Sequence, residues 1–194
     1  MLTLYADLAW GISFLAEVTS FDIFKSEREM NLTFRPAAAL DAPALAALHN
    51  AVAEDLTLRY GRGPWTSATS EKGVLFGLRH SMILAAFAGK DIVATLHLPT
   101  KKPWAIDRTY FTPVEKALYL TNMAVMPALQ RQGIGRMLIV EGERRARAWP
   151  ANAIRLDAFD SEAGAGAFYA KCGFKERGRV IYRKAPLIYF EKLF

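Results

Sequence analysis

Val125-Met126-Pro127-Ala128-Leu129-Gln130-Arg131-Gln132-Gly133-Ile134-Gly135-Arg136 is the stretch on which the reading of this chain turns. Residues 117–125 before it read as a strand, and residues 135–149 after it as a helix. Ile134, Leu138, Gly142, Ala146 and Trp149 fall on one face of that helix. A strand therefore ends, a short loop turns, and glycines open a helix. The first N–H groups of a helix lack intrahelical acceptors, and the helix dipole adds partial positive charge there, so such a turn suits an anion. Gly133 and Gly135 would spare an approaching pyrophosphate the Cβ atoms that keep it off the backbone. A glycine pair can equally shape a tight turn and do nothing more.

Two other phosphate motifs are excluded. A dinucleotide fingerprint needs a third glycine three residues after Gly135, where Leu138 stands. A P-loop needs Gly-Lys-Ser/Thr, a triplet the chain lacks.

Upstream of the turn, Leu32-Thr33-Phe34-Arg35 alternates like a strand. Asp41 reads as an N-cap with Pro43 in the first turn, and Leu45, Leu48, Val52 and Leu56 form a helical stripe. Gly61-Arg62-Gly63-Pro64 breaks the chain before a second helix over about residues 71–79. Residues 82–88 and 92–98 read as strands joined at Gly89-Lys90-Asp91. Residues 99–115 form a long connection with Lys101, Lys102, Trp104, Tyr110 and Phe111, a length typical of binding loops. Downstream come a strand over 154–159, a short helix over 161–171 closing at Gly173, and strands around 179–184 and 187–193. The order predicts a mixed α/β domain: a mostly antiparallel twisted sheet of about seven strands flanked by about four helices.

The 194 residues suit one domain, placed here at residues 30–194. With 52% hydrophobic and 23% charged residues, a sizeable core can form. Residues 1–29 read as an extension, expected to be helical from the spacing of Leu4, Leu8, Ile12 and Leu15. No basic residue precedes Lys25, so a secretory signal is not indicated. The apolar run Leu8 to Ala16 is far short of the roughly 20 residues that span a bilayer, and no membrane association is expected. The extension could instead join a partner or a second copy as a homodimer.

One cysteine, Cys172, points to a reducing cytoplasm and reads as a packing residue, while three scattered histidines give no zinc pattern, so no metal is expected. Net charge +6 suits a phosphate-bearing ligand as well as nucleic acid. No nucleic-acid motif accompanies Lys101, Lys102 and Trp104, and none is expected as a partner. On the helix after the turn, Glu141 and Glu143 each stand four residues before an arginine, Arg145 and Arg147, which with Arg136 and Arg144 read as a solvated face.

Taken in order, these segments resemble the GCN5-related N-acetyltransferases. Gln130-Arg131-Gln132-Gly133-Ile134-Gly135 is similar to that family's Q/R-x-x-G-x-G/A signature after a strand, and Ala124-Val125-Met126-Pro127 to its entry. Ala165-Gly166-Ala167-Phe168-Tyr169-Ala170-Lys171-Cys172-Gly173-Phe174 resembles its A-x-x-F-Y-x-K-x-G-F segment, and Tyr189 to Leu193 its final strand. The resemblance covers roughly residues 32–193. It implies an acetyl-CoA-dependent transferase acting on a small-molecule or peptide amine. Gln130, Arg131, Gln132, Gly133, Ile134, Gly135 and Arg136 would form the coenzyme-binding turn, with backbone N–H groups of residues 132–136 on the pyrophosphate. The backbone of Met123, Ala124 and Val125 would pair with the pantetheine arm. Tyr169 would protonate the leaving thiolate, a phenol's pKa (about 10) lying above a thiol's (about 8.5).

Two positions depart from the pattern. Glu162 stands where the family often has asparagine, and Leu120-Thr121-Asn122-Met123 lacks the glutamate often carried on that strand. The base that deprotonates the amine is therefore unassigned, with water relayed through Asn122 or Tyr119, or Glu115, His97 or Asp157, as candidates. A non-catalytic acyl-CoA-binding module is the alternative reading.

Overall fold

The structure is a computed structural model that describes residues 19–23 and 30–194. Among these it contains nine strands and four α-helices. In chain order they are β1 (Thr19–Ile23), β2 (Met30–Pro36), α1 (Ala42–Tyr60), α2 (Glu71–His80), β3 (Met82–Ala88), β4 (Asp91–Leu98), β5 (Ala117–Tyr119) and β6 (Thr121–Val125). There follow α3 (Ile134–Ala148), β7 (Ala153–Phe159), α4 (Gly166–Lys171), β8 (Lys175–Tyr182) and β9 (Ala185–Leu193). Five strands form one sheet in the order β1-β2-β3-β4-β6, and four form a second in the order β5-β7-β9-β8. Every pairing is antiparallel except β5 with β7.

The expected mixed α/β architecture is present, with two differences in its strands. Thr19–Ile23 is not helical. It pairs with β2 and extends the first sheet, so the sheet crosses the expected boundary at residue 30. The rest of the expected helix over 1–29 lies outside the described residues. Residues 117–125, which read as one strand, form two that belong to different sheets.

The helices sort onto opposite faces. Leu45 and Leu48 of α1 and Val74 of α2 pack on Ile83, Ala85, Phe87 and Ala124. Ile134, Leu138 and Ala146 of α3 and Tyr169 of α4 pack on the other side, against Leu84, Leu96, Leu98, Leu156 and Phe190. Each fully buried leucine on these faces contributes about 1.5–3 kcal/mol of transfer free energy. The stripe read from the sequence of α3 is thus its buried face. A Cβ at Gly142 would stand 3.3 Å from Leu96 Cδ2, so α3 lies close on β4.

Local electrostatics changed three expectations. Asp41 does stand at the N-cap of α1, with Pro43 in the first turn, but its side chain makes no capping bond; the carboxylate takes Ala38 N–H at 2.8 Å and a bidentate pair from Arg35 at 2.8 and 3.0 Å. Arg145 is not solvated but 1% exposed, bonded at 2.7 Å to the buried Glu141, because α3 turns that edge toward the core. Glu143 pairs with Lys192 of β9 instead of Arg147. The helix expected over 161–171 begins only at Gly166, since residues 159–164 close a tight turn in which Gly164 N–H donates to Ser161 O.

The connection after β4 is tied down. Ile106 and Phe111 are buried with Tyr119 and Tyr189, and the Tyr189 hydroxyl bonds both Ala105 O and Asp107 N–H. Glu191, 1% exposed, receives Arg155 Nε at 3.0 Å, Arg177 Nη2 at 2.7 Å and Thr112 N–H at 3.3 Å. The loop therefore forms a fixed wall over one face of the second sheet.

Candidate active site

The two sheets part where one chain segment changes partner. Leu120 N–H still donates to Arg155 O at 2.9 Å, alongside β7. Asn122 then adopts φ 47°, a left-handed conformation that asparagine tolerates better than most residues. The segment after it pairs with β4, with a register shift between Thr95 and His97. Past Arg155, β7 keeps only β9 as a partner. A cleft opens between β6 and the far half of β7.

The edge of β6 facing that cleft has main-chain groups that no strand pairs. Met126 N–H donates to Val93 O at 2.8 Å, across β4. By strand alternation, Ala124 faces β4 in the same way, while Met123 and Val125 direct their N–H and C=O groups at the cleft. The Val125 carbonyl there accepts from Gln130 Nε2 at 3.2 Å, so the signature glutamine side chain braces the turn.

The turn itself ends in two left-handed residues, Arg131 at φ 62° and Gly133 at φ 89°. Gly133 is the N-cap of α3, with no side chain capping the helix. Among the described residues, no acceptor within the chain meets the N–H groups of 131–136. Arg131, Gln132, Gly133 and Arg136 are exposed. Nothing lies within 4 Å of a Cβ placed on Gly133, so space above the turn is open. Gly135 has a different reason to be glycine. Its Cβ would stand 3.2 Å from Phe168 Cζ and 3.3 Å from Met123 Cε, so it lets α3 approach α4 and β6 and does not clear room for an anion.

Tyr169 reaches the cleft from α4. It is 7% exposed, packs on Phe174 and Phe190, and brings its hydroxyl to 3.8 Å from Met123 Sδ. Burial, and to a lesser degree the carboxylate of Asp157 and Cys172, push the phenol well above its ordinary pKa, so it stays protonated at neutral pH. The structure thus gathers Met123, Tyr169, the turn and the N-terminus of α3 around one opening. Cys172 is partly buried and its thiol is pushed up chiefly by burial, in keeping with packing.

The base candidates are separated. Glu115 is exposed, and so is Glu162, the residue that stands where the family often has asparagine. His97 lies under α1 and α2 on the opposite face, where Gly77 leaves room for its ring. Its Nδ1 is 3.5 Å from Asn122 Nδ2 and its ring meets His49 edge-on at 5.9 Å. Burial, then the charge of His49, pull its pKa down to about 3. Asp157 is half-buried on β7, and burial raises its pKa. Sequence reasoning missed the left-handed Asn122 that turns the strand; its one signal was an asparagine inside an otherwise strand-forming run.

Among the described residues no helix is long and apolar enough to cross a membrane. No curated protein matches the sequence. A profile of the Acetyltransferase (GNAT) family matches residues 46–174. Among solved structures, the chain is similar to ribosomal-protein-alanine N-acetyltransferase from Brucella melitensis, with TM-score 0.64, 20% identity, and coverage of 83% of this chain and 99% of that one. It is also similar to the PaiA N-acetyltransferase from Thermoplasma acidophilum, solved with coenzyme A, at TM-score 0.64, 16% identity, and coverage of 84% and 99%. A third is a GCN5-related N-acetyltransferase from Rhodopseudomonas palustris, at TM-score 0.63, 25% identity, and coverage of 83% and 94%. By its sequence profile, and in agreement with its fold, the chain belongs to the GNAT family of acetyltransferases.

Proposed function

We propose that the protein transfers an acetyl group from acetyl-CoA to a primary amine, by direct attack within a ternary complex. The observation that carries this reading is that the uncapped start of α3 and the free edge of β6 flank the buried hydroxyl of Tyr169. The residues present fit the donor. The open space over Gly133 and the unpaired N–H groups of 131–136 suit a pyrophosphate, with Arg136 beside them. The outward groups of Met123 and Val125 offer an extended arm the hydrogen bonds of an added strand, and Ala124 holds that edge against β4.

In the reaction, the amine forms a C–N bond to the thioester carbonyl as the C–S bond breaks. Tyr169, kept protonated by its burial, gives its proton to the departing sulfur. Main-chain N–H groups at the cleft stabilise charge on the carbonyl oxygen, and the fixed walls supply orientation. The non-catalytic coenzyme-binding reading draws on a specific observation as well: β6 presents Thr121 and Asn122 where a carboxylate would serve as base.

Thermal unfolding with acetyl-CoA, against ATP and NAD as controls, tests the site first. Ligand at 100 times its dissociation constant stabilises by about 2.7 kcal/mol, a rise of about 5–10 °C for a chain of this size. A shift specific to acetyl-CoA, with thiol release on adding amines, is the expected result. A shift without thiol release across a broad amine panel supports the non-catalytic reading. No shift overturns both.

A further inference from the structure

The connection between α1 and α2 carries one large apolar side chain, Trp65, and that side chain reaches across the cleft. The two helices it joins pack on the first sheet. The Trp65 ring nevertheless meets Phe159, the last residue of β7 in the second sheet, edge-on at 5.8 Å. Strand alternation puts Phe159 on the face of Arg155, while α3 and α4 pack on Leu156 and Phe190 of the other face. The contact therefore ties the two halves together on the side of the cleft away from the uncapped start of α3.

The loop is built to hold the ring there. The Asn50 side chain of α1 donates to Thr69 O at 3.0 Å and accepts Thr69 N–H at 2.8 Å. Thr66 N–H donates to Gly63 O at 3.0 Å, and Gly63 N–H to Thr66 Oγ1 at 2.8 Å. The indole N–H donates to Gly61 O at 3.2 Å. The ring lies so close over Gly63 that a Cβ there would stand 2.5 Å from Trp65 Cη2, so glycine is required beneath it. Trp65 and Phe159 both keep part of their surface exposed. The indole is thus a fixed wall with a free side.

On this face the cleft becomes a window. It closes at one end where Leu120 N–H bonds Arg155 O, and at the other where Trp65 meets Phe159. Asn122 of β6 stands on one side, and Tyr189, held under the 99–116 loop, on the other. Four residues of strand separate Arg155 from Phe159, about 13 Å, from which the two rings subtract. An extended peptide needs on the order of 10 Å across its side chains, the spacing of packed sheets. A terminal amino acid also branches at the carbon next to its nitrogen, whereas an alkylamine brings only methylenes.

We propose that Trp65 sets acceptor specificity by closing this window, so that the acceptor is a slender small-molecule primary amine, unbranched beside its nitrogen, and not the terminus of a polypeptide. This rests on the acetyl-transfer reading.

The test compares n-propylamine and spermidine with an alanine-terminated hexapeptide on the full chain. Wild-type kcat/KM for the hexapeptide should lie at least about 10²-fold below that for n-propylamine. Trp65→Ala should narrow the gap at least about tenfold by gaining on the hexapeptide, a gain that misfolding cannot produce. Phe159→Ala, which removes the ring that Trp65 meets, is the second variant and should narrow it in the same direction. Trp65→Phe, which keeps a ring, should retain most of the gap. A wild type that uses both acceptors within about threefold, or a gap that neither alanine variant changes by more than about threefold, overturns the proposal. Binding tests it without turnover, using conjugates in which an acetyl bridge joins the coenzyme A sulfur to the nitrogen of n-propylamine or of the hexapeptide. By calorimetry the wild type should bind the propylamine conjugate at least about tenfold more tightly, and Trp65→Ala should bring the two together. Equal wild-type affinities overturn the proposal even if no amine is acetylated. A wild type that binds neither acetyl-CoA nor either conjugate overturns the functional reading beneath it instead.

Discussion

Replacing Glu191 by glutamine changes one atom's chemistry and leaves the shape intact, which makes it a sharp probe of how the loop wall is held. The carboxylate uses Oε1 for Arg155 Nε and Oε2 for both Arg177 Nη2 and Thr112 N–H. An amide keeps one acceptor oxygen and turns two N–H donors toward groups that are themselves donors. Arg155, 4% exposed, would then be buried without a counter-charge. Breaking such a pair from one side costs about 3–5 kcal/mol. Arg177 has 27% of its side chain exposed, so water takes up part of its loss and the lower end applies. At about 2–4 °C per kcal/mol, Glu191→Gln should lower Tm by about 6–12 °C. Calorimetry reads the shift, and hydrogen exchange at Phe111 and Thr112 should show the loop released before global unfolding. The double variant Arg155→Met/Glu191→Met removes both charges and should cost less than the single change. A single-variant cost below about 1 kcal/mol, or a double variant worse than the single, would refute the reasoning.

Tyr169→Phe should lower kcat by about 10²–10⁴-fold while stability moves by less than about 1 kcal/mol, because the hydroxyl's contact is a thioether 3.8 Å away. An unchanged kcat with chemistry rate-limiting removes Tyr169 from the mechanism. His97 is kept uncharged to about pH 3 in the folded protein, against 6.5 as its ordinary value, so the folded state binds fewer protons than the unfolded one. Stability is therefore intact above pH 6.5 and falls below it, by about 3 kcal/mol at pH 4 from this group. Comparing the pH-stability curves of wild type and His97→Gln isolates the slope, and identical curves would exclude the effect. Gly164→Ala would set a Cβ 1.8 Å from the Phe159 carbonyl oxygen, a backbone atom that cannot swing aside. More than about 3 kcal/mol of destabilisation is expected in denaturant melts, and a neutral result would mean the turn re-forms differently.

What the sequence disclosed follows the range of the interactions involved. The turn into α3, the β3–β4 hairpin and the Gly173 stop after α4 are local, and residues near in sequence specify them. The break between β5 and β6 was hidden, because Ala117 to Val125 is apolar enough for one strand and only distant partners, Arg155 and Val93, divide it. Thr19–Ile23 became a strand for the same reason: β2 offered an edge that helical spacing could not foresee. Burial of Arg145 depends on which way α3 rolls against β4. Gly135 matched its motif, but the motif could not reveal that its neighbours are Phe168 and Met123. At the cleft, the turn was legible as a motif, whereas the left-handed backbone of Asn122 became visible only in the fold.

The exchange of partners at Leu120 also bears on how such a protein can vary. On the proposed reading, recognition along the free edge of β6 would be by N–H and C=O groups, which every residue but proline supplies alike. Substitutions in Met123 to Val125 that preserve extended backbone would leave that edge chemically unchanged. Hereditary constraint should therefore weigh on backbone shape at Asn122 and Gly133, and on the closeness of α3 to α4. Side chains lining the far wall remain free to diverge and meet new acceptors.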